Sequence, residues 1–199
     1  MPSPRVLLVG APAFLIALLG LAHPIFLTPD TADRWQLVHL AFLPAFPLLA
    51  ASLLYLLRRD TGVLAWAGRV AAFAYAVLYG ALDAIAGIGA PEQVRNVGAK
   101  APIGDLYSVG DQLGHLGVYA LALSAALTAL LVWQRSRSAL APVAGALALF
   151  CCVFFYRHHV FPPRGVLALV GIGVALVLLA VADVSRPAAS AVDRDAAAQ

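Results

Sequence analysis

Charge is the scarcest commodity in this chain. Only 12% of its 199 residues are Asp, Glu, Lys or Arg, against roughly a quarter in soluble domains. The 13 basic residues outnumber the 10 acidic ones by three, and they are scattered, so no nucleic-acid-binding surface is encoded. Cysteine is almost missing. Cys151 and Cys152 are neighbours in an apolar run, and adjacent cysteines rarely bridge each other, so they read as small buried residues. Compact catalytic signatures are missing too. There is no H-E-x-x-H, no H-x-x-x-H and no G-x-S-x-G, and without C-x-x-C-H a covalently attached c-type haem is excluded. Lysine occurs only at Lys100; the arginine and alanine bias is that of a GC-rich bacterial genome.

What remains is apolar. Hydrophobic residues make up 62% of the chain, and the mean hydropathy is +0.89. A membrane-spanning helix needs about 20 mostly apolar residues, and six such runs occur, at 5–27, 36–57, 63–89, 112–133, 139–156 and 165–183. The expected fold is an all-α polytopic membrane bundle of six transmembrane helices, residues 1–185, followed by a disordered tail at 186–199 without apolar periodicity. The breaks carry turn or charge signals, as in "RRDTG" (58–62) and "RHHVFPPR" (157–164). The stretch 91–111 reads as a long loop, a candidate lid.

Loop arginines set the expected orientation. Arg5, Arg58, Arg59, Arg135, Arg137, Arg186 and Arg194 share one side, in short loops or chain ends. Arg34, Arg95, Lys100, Arg157 and Arg164 share the other. The positive-inside rule then puts both termini in the cytoplasm of a bacterial plasma membrane. Arg69, six residues into the third span, is placed to snorkel back to the inner headgroups. The first run has a second reading as a signal peptide, with Gly20 and Ala22 as small residues before the cut.

With that topology all five histidines fall at the outer end: His23 closes the first span, His39 opens the second, His115 opens the fourth, and His158 and His159 follow the fifth. The carboxylates sharpen the pattern. Asp83 lies inside the third span, and an ionisable residue at such depth is a functional candidate. Tyr75, Tyr79 and Asp83 recur every four residues, as do Asp111, His115 and Tyr119, so each set lines one helix face and is expected to turn inward. Asp111 after Gly110 also reads as a helix N-cap.

Neutral imidazole with carboxylate suits a divalent metal such as zinc. His23, His39, His115, His158 and His159 are the candidate ligands, and Asp83 and Asp111 the candidate catalytic carboxylates. Tyr79, Tyr119, Arg157 and Arg164 are candidate contacts for a lipid or lipid-linked substrate. The implied activity is metal-dependent hydrolysis at the outer leaflet of the lipid bilayer. One alternative is a b-type haem held by His39 and His115. Another is an accessory subunit whose Gly/Ala-rich faces at 80–90 and 141–148 pack against a partner membrane protein or a second copy. Transport ranks lower, because the inner half offers only Arg69 and a few hydroxyls.

Overall fold

In lipid every backbone N–H and C=O must find its partner within the chain, and for long Leu/Ala/Val runs the helix is the conformation that achieves this. The computed structural model describes residues 4–185, so the tail reading at 186–199 lies outside the described residues. The helices are α1 (Pro4–Gly20), α2 (Ala32–Leu56), α3 (Val63–Leu82), α4 (Ala90–Val97), α5 (Gly104–Ser136), α6 (Leu140–His158) and α7 (Arg164–Val184). A single tight turn, Leu57–Arg59, extends α2, and a wide π-helical turn, Asp83–Gly89, joins α3 to α4 without a break.

The chain is therefore an all-α bundle of membrane type. Five helical stretches are long and apolar enough to cross a bilayer, and α1 adds a shorter apolar helix. The six expected runs all appear as helices, with shifted ends. The first stops at Gly20 instead of Leu27. Beyond it the chain turns, and Arg34 Nε donates to the Ala22 carbonyl at 2.9 Å, tying that turn to the start of α2.

The expected long loop at 91–111 is corrected. Only residues 98–103 separate α4 from α5. Pro91 falls in the first turn of α4, where its missing N–H costs nothing, and Gly98, at φ 86°, ends the helix. Arg95 ties α4 to α2 through Asp33. Asp111 lies well inside α5, so it is no N-cap.

The long helices pack in chain order, α1 on α2, α2 on α3, α3 on α5, α5 on α6 and α6 on α7, and α7 returns to α1, closing a ring, while the short α4 continues α3 and packs on α2. Small residues permit the closest approaches. A Cβ on Gly10 of α1 would lie 2.8 Å from the Gly173 carbonyl of α7, and one on Gly145 of α6 only 2.7 Å from the Ala129 side chain of α5. The core is filled by Phe42, Phe46, Tyr75, Tyr79, Phe155 and aliphatic side chains around them.

One end of the ring is locked by charge. Arg135, near the end of α5, donates from Nε to Asp183 Oδ1 at 2.7 Å, from Nη1 to Asp60 Oδ2 at 2.5 Å and from Nη2 to the Leu56 carbonyl at 3.0 Å. This side chain therefore joins the ends of α2, α5 and α7. Arg69 reaches the same end, as its snorkelling position implied, and donates to the Leu57 and Asp60 carbonyls at 2.7 Å each. Both carboxylates of the cluster are largely shielded, Asp183 almost completely. Removing one partner of a buried pair strands the other charge and typically costs 3–5 kcal/mol. Arg135→Gln is expected to lower stability in detergent by about 3 kcal/mol. Arg95→Gln, which breaks only exposed pairs, should cost less than about 1 kcal/mol. Thermal unfolding of the two variants side by side checks this; equal losses would refute it.

Candidate functional site

At the opposite end, polar side chains from six stretches of the chain surround a small cleft. It holds a cavity of about 70 Å³ and is lined by His23, Trp35, His39, Tyr79, Asp83, Tyr107, Asp111 and His159, with Phe42, Phe46 and Phe161 among its apolar walls. Helix α2 contributes Trp35 and His39, the π turn Asp83, α3 Tyr79, and α5 Tyr107 and Asp111. His23 comes from the turn after α1, and His159 and Phe161 from the segment after α6.

Asp83 is the unusual member. It is 1% exposed, and neither carboxylate oxygen has a hydrogen-bond partner. A buried carboxyl without a partner carries its full desolvation cost, which makes Asp83 the costliest polar group of the cleft. His39 lies beside it, with Nε2 3.9 Å from Asp83 Oδ1. Nδ1 of His39 faces the Trp35 carbonyl at 2.9 Å. A carbonyl only accepts, so Nδ1 carries the hydrogen, and in the neutral ring Nε2 presents a lone pair towards Asp83. His23 repeats the device. Its Nδ1 donates to the Pro24 carbonyl at 2.6 Å, and its Nε2 is buried without a partner. The two imidazole rings lie 4.9 Å apart, edge to face, beside Trp35.

The local sequence explains why His39 fits. A π turn widens the helix by one residue and recurs at functional sites, and Asp83 opens this one. Within it, a Cβ on Gly87 would lie 1.9 Å from the His39 ring. Only glycine leaves room for that imidazole.

A second polar array borders the cleft. The Tyr79 hydroxyl lies 3.2 Å from His159 Nδ1, and His159 Nε2 lies 3.6 Å from Asp111 Oδ1. With Nε2–H turned towards the carboxylate, Nδ1 accepts from the Tyr79 O–H. Asp111 is half exposed while Tyr79 is fully enclosed, so the array runs from the surface inward. His159 ends α6 with φ 47°, a backbone conformation that non-glycine residues seldom adopt. Burial lowers its imidazole pKa below the ordinary value, while Asp111 pulls it upward less strongly.

The other expected site residues are placed elsewhere. His115 stacks on Tyr156, ring centroids 4.0 Å apart, and lines an open groove with Asp111 and Arg157 instead of the cleft. Tyr119 is 60% exposed and faces outward. The inward direction expected for the Asp111/His115/Tyr119 stripe is therefore corrected at Tyr119, whereas Asp111 lines the cleft and the His115 ring stacks 5.9 Å from that of His159. The face of α5 that meets α3 is the adjoining glycine row: Gly110, Gly114 and Gly117 abut Ala86, Leu82 and Tyr79. The polar stripe lies one residue around the helix, at its edge. His158 packs near Phe154, and Arg164 borders a separate depression with Phe150 and Phe154. Trp35 and His39, four residues apart on α2, share the face that the sequence spacing gives them and both line the cleft; the contact of Gly87 with His39 and the place of Phe161 escaped the sequence reading, and the "GIG" at 87–89 after an intramembrane Asp was the available signal.

Among the described residues, no three His, Cys, Asp or Glu side chains are gathered as a ready metal-coordination shell. Compared with protein-family models, curated proteins and solved structures, the chain finds no match.

Two outcomes follow from the geometry. Gly87→Ala should displace the His39 ring, cost about 1–3 kcal/mol through overpacking, and alter the emission of Trp35, which stacks on His39 at 5.4 Å. The signal is read in a background with Trp66 and Trp133 replaced by Phe; an unchanged spectrum would count against the packing. For His159, a base whose folded pKa lies below its unfolded value binds more protons when unfolded. Its contribution is therefore intact above pH ~6.5 and is lost as pH falls through that value. The unfolding midpoint should drop between pH 7.5 and 5.5, and His159→Gln should remove part of that drop, burial of His23 acting in the same sense.

Proposed function

We propose that the cleft is a divalent-metal site on a small multi-pass protein of the bacterial plasma membrane, with His23, His39 and Asp83 as ligands. The observation that supports this reading is the set of donor atoms left without partners: His23 Nε2 and both Asp83 oxygens, with His39 Nε2 beside them. Both imidazoles have their second nitrogen fixed by a backbone carbonyl, as metal-bound histidines usually do. Two ligands each ~2.1 Å from a tetrahedral zinc lie roughly 3.4 Å apart. The 3.9 Å between His39 Nε2 and Asp83 Oδ1 therefore needs to shrink by about half an ångström on binding, and His23, which does not complete a ready shell with them, has to move in as well.

Three protein ligands leave a coordination position for water, and a bound metal lowers the pKa of that water towards neutrality. The reaction class within reach is hydrolysis of a lipidic substrate at the membrane surface. Tyr79, His159 and Asp111 stand beside the cleft as proton-handling groups. A haem bridging His39 and His115 has less support, because His39 lines the cleft and His115 the open groove beyond it, with Trp35, Tyr107, Asp111, His159 and Phe161 in the wall between them.

The test is elemental analysis of untagged protein purified in mild detergent. Near-stoichiometric zinc or another divalent metal is expected. His39→Ala and Asp83→Ala should each reduce it at least tenfold, and His23→Ala should weaken it. His158→Ala should leave it unchanged. Failure to bind added zinc, or equal metal content in all variants, would overturn the proposal.

A further inference from the structure

A second feature lies at the arginine-locked end and shares no residue with the cleft. On the outer surface of the bundle, α1 and α2 part to form an apolar groove lined by Leu8, Val9, Pro12, Leu48, Ala51 and Ser52, with Tyr55 at its foot. Its volume is about 660 Å³, within the range of ligand sites. The one hydroxyl beside Tyr55's is already engaged, since Ser52 Oγ donates to the Leu48 carbonyl. The groove is therefore shaped for a hydrocarbon chain.

At its foot the lining changes character. Val9 and Tyr55 also border a pocket of about 170 Å³ whose other walls include Arg58, Arg59 and Asp183. Arg58 lies over the Tyr55 ring, its Cζ 3.7 Å from the centroid, and donates to the Tyr55 carbonyl at 2.5 Å. That fixes the guanidinium at the pocket edge with N–H groups to spare. Asp183 does not neutralise these arginines, because Arg135 already holds it. The local charge is positive: Arg58, Arg59, Arg69 and Arg135 stand against Asp60 and Asp183, four positive charges and two negative.

We infer that this continuous groove and pocket bind an anionic phospholipid, with one acyl chain between α1 and α2 and the phosphate against Arg58 and Arg59. Arginine suits a phosphate because its planar fork donates two hydrogen bonds at once. Basic pockets between helices are where anionic headgroups bind. The charge and the chain-shaped groove specify the ligand together: the arginines alone would take any anion, and the groove alone any hydrocarbon.

The experiment uses full-length protein in a neutral detergent, with added phosphatidylglycerol, phosphatidylcholine, oleate or glycerol phosphate. Two readouts are followed: the thermal midpoint, and the lipid adducts retained in native mass spectrometry. Phosphatidylglycerol at about ten times its Kd should raise the midpoint by roughly 3 °C and leave a one-lipid adduct. Phosphatidylcholine should do neither to a comparable degree. Arg58→Gln with Arg59→Gln should abolish the difference by removing the headgroup contacts. Ala51→Trp, which fills the groove with both arginines intact, should abolish it too. An equal response to phosphatidylcholine, or an advantage surviving both variants, would overturn the inference. So would an equal shift with oleate or glycerol phosphate, which would mark a generic apolar or anion site.

Discussion

The bundle is organised around one ion cluster, Arg135 held between Asp60 and Asp183. Three helices that are apolar along most of their length meet at this point through the strongest directional contacts available to side chains. In a low-dielectric setting such a cluster fixes which helix ends must stand together, because any other arrangement strands a charge. The antiparallel ring then follows from short connections and small-residue contacts. Helices that alternate in direction and join through short turns have little choice but to neighbour one another.

The two ends of the molecule treat their polar groups in opposite ways. At the arginine end both carboxylates of the cluster are held by Arg135, and further donors of Arg135 and Arg69 go to backbone carbonyls. At the histidine end the same accounting leaves a remainder. Asp83, His23 and Trp35 all keep buried polar atoms without partners. The polar groups of the two ends therefore differ in how far the chain itself satisfies them. The π turn and the unusual backbone of His159 belong to this unsatisfied end, where strain is held for function elsewhere in protein structure.

Much of this organisation was legible in the chain. The six apolar runs became helices because hydropathy and length depend on residues near one another in sequence. Asp83 stood out because an acid in a Gly/Ala-rich span has no local explanation, and Tyr79 followed from its four-residue spacing. The rest depended on rotation and distance. Asp111, His115 and Tyr119 do share a face, but which face meets the neighbour was decided by the glycine row at Gly110, Gly114 and Gly117. A periodic polar stripe says only that its members are together, and the tightest packing row decides the direction in which they point. The loop at 91–111 was misjudged because its polar residues resemble a linker, whereas Pro91 opens a helix and Arg95 ties it to α2. The Arg135 cluster pairs residues 48 and 75 positions apart, beyond the reach of any local pattern.

The turn between α6 and α7 shows how much a single step of backbone decides. In "RHHVFPPRG" two histidines are chemically identical and adjacent, yet their environments differ completely. His158 completes α6 and packs near Phe154. His159, one step further, leaves the helix at positive φ and is carried to Tyr79 and Asp111. Gly165 is required for the same turn, since a Cβ there would lie 2.2 Å from the His159 carbonyl. A single residue of chain separates a packing histidine from a site histidine, and the backbone, not the side chain, makes the distinction.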